Sequence, residues 1–407
     1  MLGPLLSIAA GVEPLTLHLA NATEPGKHGA VCLDGSPPGY YLRKASRAAD
    51  VNRWVVYMQG GAWCSSPSQC ASRSLGHLGS SRHFAPTYPM EGVLDSNLTR
   101  NPLFGSWSHA LIAYCDGGSF SGEATSSISW PNPSIPSRNL TLFFRGRRVL
   151  QLVVRELMSK HGLGAAEEVM LAGGSAGGLA TLLQAECDVG TRRDGPPKRT
   201  APSERLRCSL DARPHSFVGG LLPPTVRKYR AVPVSGFFLM HSTLGGADSF
   251  AEGIRAVYSL HNASVSAECA ASVPAGESWR CFFANYSYAH ARTPMFPIQS
   301  SVDLYQLFAI LQAGGWDAGC LNRGGQFAHC TTAQLEAFNA YAASLLADWS
   351  ANLSEGKASL AGEGAFIESC LEHVAEYRGP GRRTDHVLCR TKLLLSASLL
   401  RPWPVVP

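Results

Sequence analysis

Between Glu168 and Leu179 the chain passes from an apolar strand-like run, EVMLA, into an apolar helix-like run through Gly173-Gly174-Ser175-Ala176-Gly177. Few folds accommodate such a passage. The small residues let a strand and the helix that follows it lie close together, and the bend places the serine on strained backbone at its apex. G-x-S-x-G recurs by chance, so its weight comes from the strand entering on one side and the helix, read from Gly178 onward, leaving on the other. The competing reading is a glycine-rich strand–helix turn carrying an incidental serine.

The rest of the chain repeats this alternation. Residues 53–58 (RWVVYM) read as a buried strand running into Gly60-Gly61, and residues 110–114 (ALIAY) as another. Residues 144–160 put Val149, Leu152, Val153 and Leu157 on one helical face. Residues 236–241 (GFFLMH), 294–299 (PMFPIQ) and 364–370 (GAFIESC) read as strands, and 331–347 as a helix capped by Thr331 or Thr332. Strand and helix in alternation predict an α/β fold with a mostly parallel sheet. Residues 188–207, rich in Arg, Lys, Pro and Gly, read as an exposed insertion, and no linker divides the chain. The expected organisation is a leader-like segment over 1–14, one catalytic domain over 15–395 and a tail over 396–407.

At 45% apolar and 16% charged residues, the 407-residue chain can bury a large core. A net charge of +5, without a basic stripe interleaved with aromatics, excludes a nucleic-acid partner. No run of eighteen apolar residues is present, so no transmembrane segment is expected. Twelve cysteines without a C-x-x-C argue for disulfides rather than metal or thiol redox chemistry. Sequons at Asn21, Asn97, Asn139, Asn262, Asn285 and Asn352 agree with an oxidising, extracellular setting. MLGPLLSIAAG resembles a short signal segment but lacks a basic start.

A serine nucleophile needs a base, and the base needs an orienting acid, in the order Ser, Asp or Glu, His. Asp303 follows a strand-like run, whereas Asp211, Asp248 and Asp317 do not. His373 follows GAFIESC, with His241, His329 and His386 as rivals. The N–H of Ala176 is one expected oxyanion donor. Gly60-Gly61-Ala62-Trp63, directly after a strand, suits the other; the alternative is a tight turn with a packing tryptophan.

GAVCLDGSPPGYY (29–41), GGAWC (60–64), YCDGGSFSGE (114–123), FRGRRV (144–149), LAGGSAGGL (171–179), SGFF (235–238) and FIESCLEH (366–373) together resemble the pectin acetylesterase family, closer to its plant members. The resemblance implies an α/β-hydrolase-like fold and a catalytic triad of Ser175, Asp303 and His373. Oxyanion donors would come from the Gly61-Ala62-Trp63 loop and Ala176. It implies no cofactor and no metal. It also implies disulfides Cys32–Cys115, Cys64–Cys70, Cys187–Cys208, Cys269–Cys281, Cys320–Cys330 and Cys370–Cys389. The expected activity is removal of acetyl groups from an acetylated, pectin-like polysaccharide by a secreted monomer. The animal Notum branch of the family implies the alternative, removal of a lipid acyl group from a protein; a catalytically inactive binding module is a third reading. The sequence departs from the family pattern at Ala62, where glycine is usual. It departs again at Gly174, where plant members have cysteine, and at Val234-Ser235, where they have Asp-Ala.

Overall fold

A computed structural model describes residues 14–20, 29–89, 91–186, 217–312, 330–354, 364–369, 371–374 and 392–396. A ten-stranded sheet, in the order β12-β11-β10-β9-β8-β3-β5-β2-β1-β4, organises it. The strands are β1 Leu15–Leu19, β2 Gly39–Arg43, β3 Arg53–Met58, β4 Thr87–Tyr88, β5 Ser108–Ile112, β8 Glu168–Gly174, β9 Lys228–Val234, β10 Ile298–Ser300, β11 Gly364–Glu368 and β12 Lys392–Ser396. β6 (Ile128–Pro131) and β7 (Asn139–Leu142) form a separate antiparallel ribbon. From β5 through β3, β8, β9 and β10 to β11 the strands run parallel. The outer pairings β5–β2, β2–β1, β1–β4 and β11–β12 are antiparallel. This is the α/β-hydrolase-like architecture expected from the sequence.

The central strands are apolar throughout because both of their faces are covered. In β3, Trp54, Val56 and Met58 enter one core and Val55 and Tyr57 the other. In β8, Val169 and Leu171 divide in the same way from Met170 and Ala172. On the first face the helix Gly146–His161 buries Val149, Leu152, Val153 and Leu157, and Gly162, at φ 93°, ends it. The helix Ala176–Gln184 adds Leu179, Ala180 and Leu183, and Thr332–Ser354 adds Phe338, Tyr341, Leu345 and Trp349.

Several expected elements shift; the strand read at 110–114 runs over Ser108–Ile112, and the helix read at 331–347 over Thr332–Ser354. Residues 236–241 form no strand; the strand is Lys228–Val234, just before them. Its charged and aromatic start, Lys228-Tyr229-Arg230, hides it, while Phe237 and Phe238 are apolar because they pack in the core as coil. The expected strand over 294–299 shortens to Ile298–Ser300. The helix after the serine begins at Ala176, immediately after it.

The Cys32–Cys115, Cys64–Cys70 and Cys269–Cys281 disulfides are present. Cys330 is also disulfide-bonded. Cys187, Cys208, Cys320, Cys370, Cys389, Asn21 and the segment 188–207 lie outside the described residues. Among the described residues no helix is long and apolar enough to cross a membrane.

Candidate active site

Parallel strands direct their C-terminal ends to one edge of the sheet, and the residues after them form the site. β3 and β8 are adjacent and in parallel register from Arg53↔Glu168 to Met58↔Gly173. The Gly60 loop and the Ser175 turn therefore emerge side by side. They touch: a Cβ at Gly60 would collide with the Gly174 carbonyl oxygen. Likewise a Cβ at Gly177 would strike the Met58 carbonyl, so the turn tolerates only glycine there. Ser175 itself adopts φ 58° and ψ −123° and immediately precedes the helix. That strained backbone is the one an elbow imposes on its apical residue.

The loop after β3 is arranged with its carbonyls tied down. Arg73 donates to the Gly61 carbonyl at 2.8 Å and to the Trp63 carbonyl at 3.1 Å, and the Tyr114 hydroxyl donates to the Ala62 carbonyl at 2.8 Å. No hydrogen bond among the described residues engages the N–H of Gly61, Ala62, Trp63 or Ala176. Ala62 sits in the left-handed region at φ 53°, where its Cβ is strained and glycine would be unstrained. The Cys64–Cys70 bond ties the loop to the helix Pro67–Ser74, from which Arg73 reaches back.

On the other side, Asp303 follows β10 and is fully buried, capping the helix Leu304–Ala309 by accepting from Gln306 N at 3.0 Å. Its two carboxylate oxygens each lie 2.9 Å from Nδ1 of His373, which follows β11. Gln299 Nε2 also donates to Asp303 Oδ2 at 3.3 Å. The Tyr305 ring stacks on the imidazole with centroids 5.1 Å apart. His373 Nε2 is buried and has no hydrogen-bond partner among the described residues.

One strand end joins these two sides. Ser175 N donates to the Val234 carbonyl at 2.9 Å, and the next residue, Ser235, accepts from Val374 N at 2.9 Å through its hydroxyl. Val374, at φ 59°, is a β-branched residue in the left-handed region, so the loop carrying His373 is held in a costly shape by that contact. Of the rival residues, His241 bonds the Ser242 carbonyl and Asp248 the Ser242 hydroxyl, neither of them near Asp303 or His373 by any bond in the structure. Asp211, Asp317, His329 and His386 lie outside the described residues. Of the sequons, Asn139 and Asn262 are exposed, Asn97 and Asn285 are half-buried, and Asn352 is in a helix.

Arg73 stands in no motif read from the sequence, and SGFF does not disclose the contact that Ser235 makes with Val374. YCDGGSF is a visible motif, but its sequence does not disclose that Tyr114 and Ser119 brace the neighbouring loop.

The sequence profile of the Pectinacetylesterase family matches residues 12–189 and 217–385. The chain belongs to the pectin acetylesterase family. Pectin acetylesterase 11 of Arabidopsis thaliana is 29% identical over 90% of this chain and 81% of its own length. Pectin acetylesterase 5 of the same plant is 31% identical over 85% and 71%. Human palmitoleoyl-protein carboxylesterase NOTUM is 30% identical over 72% of this chain and 52% of its own. Among solved structures, the Wnt deacylase Notum from Drosophila superposes with a TM-score of 0.64 at 25% identity, covering 90% of this chain and 87% of that one. With relatives of these kinds along most of its length, this pectin acetylesterase family member is a carboxylesterase.

Proposed function

We propose that the protein hydrolyses acetyl esters on an extracellular, pectin-like polysaccharide through an acyl-enzyme formed on Ser175. Ser175 Oγ attacks the ester carbonyl while His373 Nε2 takes its proton, and Asp303 holds Nδ1–H and stabilises the imidazolium. The tetrahedral oxyanion is received by the unengaged N–H groups of Gly61, Ala62 or Trp63 and of Ala176. Its collapse breaks the C–O bond, and His373 returns the proton to the departing sugar hydroxyl. Water, deprotonated by the same imidazole, then releases acetate and restores the serine. No step calls for a metal or cofactor.

The observation that carries this reading is the Asp303–His373 pair, with one ring nitrogen held and the other free, bonded through Ser235 to the strand end that supports Ser175. The choice of an acetylated polysaccharide rests on the plant relatives, whose names state that activity and which match over more of this chain than the animal ones do. Disulfide bonds support an oxidising compartment, and with it secretion.

A second reading has its own support. Trp63 meets Phe238, Phe250 and Tyr305 with ring centroids 5.2, 6.0 and 6.3 Å away, an apolar wall beside the oxyanion loop that suits a longer acyl chain. Acetate release from acetylated pectin and xylan, run beside p-nitrophenyl esters of rising chain length, separates the two. A preference for chains of about eight carbons or more would sink the acetyl reading. In either case Ser175→Ala should lower kcat by about 10⁶-fold, the scale for removing an activated serine; hydrolysis at the wild-type rate in the purified variant would overturn the assignment.

A further inference from the structure

Behind the oxyanion loop, Ser119 is completely buried, and its hydroxyl both accepts and donates a hydrogen bond. Oγ accepts from the Trp63 indole Nε1 at 2.7 Å and donates to the Ala176 carbonyl at 2.8 Å. Its backbone N–H donates to the Tyr114 hydroxyl at 3.0 Å, which in turn donates to the Ala62 carbonyl. One residue thus reaches Ala62, Trp63 and Ala176, which follow two different strands, β3 and β8. These are the residues whose free N–H groups would face the oxyanion.

Reaching that position requires unusual backbone. Ser119 and Phe120 are consecutive non-glycine residues, both at φ 54°. Such geometry persists only where the surroundings over-determine it. Here Asp116 Oδ2 accepts from Gly118 N at 3.1 Å and Phe120 N at 2.9 Å, and Cys64 N donates to the Gly117 carbonyl at 3.1 Å. The Cys32–Cys115 bond anchors the start of the turn. Among small side chains, a hydroxyl suits the junction because it accepts from an indole N–H and donates to a carbonyl at the same time. Alanine does neither.

We propose that Ser119 is a positioning residue that sets the separation between the two halves of the oxyanion hole. The motif YCDGGSF then has a physical meaning: Tyr114 and Ser119 supply the bridge, and Asp116 and the glycines shape the turn that presents it. The proposal rests on Ser175 being the nucleophile, and its test is chosen so that the two can fail separately.

Ser119→Ala and Tyr114→Phe are assayed with p-nitrophenyl acetate for kcat and KM, and with an aryl trifluoromethyl ketone, whose serine adduct carries an oxyanion. Ser119→Ala should lower kcat about 10- to 100-fold, with KM unchanged within about twofold, since losing a donor outright costs about 100- to 1000-fold. Affinity for the ketone should weaken by the same factor as kcat/KM. Tyr114→Phe, which keeps the ring and removes only the hydroxyl, should show the same pattern at about 3- to 10-fold. Should Ser119→Ala fail to fold, Tyr114→Phe alone decides. Wild-type kcat, or a lowered kcat with undiminished ketone affinity, overturns the proposal. An active Ser175→Ala would instead remove the nucleophile itself, whereas an inactive Ser175→Ala beside a fully active Ser119→Ala removes only the bridge.

Discussion

The loop 60–64 is held by a disulfide, by two Arg73 hydrogen bonds, by Tyr114 and by the Ser119 bridge, and it abuts the Ser175 turn. Asp303 and His373 are held by hydrogen bonds between their own segments: Leu304 N donates to the Glu372 carbonyl at 3.0 Å and Ser301 N to the Glu368 carbonyl at 2.8 Å. Their strands are Ile298–Ser300 and Gly364–Glu368, and among the described residues no disulfide joins the segments that carry them. Several hydrogen bonds tie them to the strand end that supports Ser175: Ser235 N donates to the Ile298 carbonyl at 2.8 Å, Phe237 N to Gln299 Oε1 at 3.1 Å, and Val374 N to the Ser235 hydroxyl at 2.9 Å. The difference follows the work each side is proposed to do. Donors that stabilise developing charge are effective when they need not reorganise during the reaction. An imidazole that shuttles a proton between serine and leaving group needs one firm hinge, at Nδ1, and freedom for the rest. Damage to the braced side should therefore be graded, and damage to the hinged side close to all-or-none.

The sharpest way to break that comparison is Asp303→Asn. It keeps the shape, but the amide can present an N–H to Nδ1 and favour the wrong tautomer, which should lower kcat about 10⁴-fold with the fold retained. Steady-state kinetics beside a thermal melt checks it. A loss below about tenfold would place the orienting role elsewhere. Arg73→Met tests the braced side. The aliphatic stem remains and two carbonyl contacts disappear, while the disulfide, Tyr114 and Ser119 still hold the loop. A drop of about 10- to 100-fold in kcat, with KM little changed, is expected. A loss as large as that of Asp303→Asn would show that the bracing is not shared.

Much of this was readable in the sequence because it is local. The elbow announces itself through Gly173, Gly174, Ala176 and Gly177, and β3 and β8 through unbroken apolar runs that a doubly covered sheet requires. The strand Lys228–Val234 was hidden because its first residues are partly exposed and polar, while the apolar run after it is core-packed coil. Whether Gly60-Gly61-Ala62-Trp63 faces the serine or is only a turn depended on β3 lying next to β8, which no local pattern states. Order and its place after a strand gave His373 only a narrow lead over its rivals, since its partner Asp303 is 70 residues away. Arg73 and Ser119 were invisible for the same reason: each acts on backbone atoms that only the fold brings near.

Buried titratable groups predict a pH signature; two of them, Asp116 and His261, lie on the braced side, and His109 lies near the start of β5. Burial pushes the Asp116 carboxyl up from 3.8 to about 7, and lowers His261 to about 4 and His109 to about 3 from 6.5. The folded protein therefore binds the Asp116 proton more tightly than the unfolded chain does. The stability this contributes is complete below pH 3.8 and lost as pH rises through about 7. For the histidines the sign reverses: their contribution is complete above pH 6.5 and lost as pH falls toward 4 and 3. Over most of that range Asp116 opposes either histidine with a limiting slope of about 1.4 kcal/mol per pH unit. Asp116→Asn removes its share. Relative to wild type, the variant's unfolding free energy should climb with pH between about 4 and 7 at up to that slope, and run flat above it. His261→Gln, which keeps a donor for the Cys64 carbonyl, should show the opposite trend between about 4 and 6.5. Urea titrations at half-unit pH steps, with disulfides intact, read both. Parallel curves for Asp116→Asn and wild type across this window would mean that the carboxyl is already ionised in the fold, and that the Ser119 turn is shaped by a charge rather than by a neutral acid.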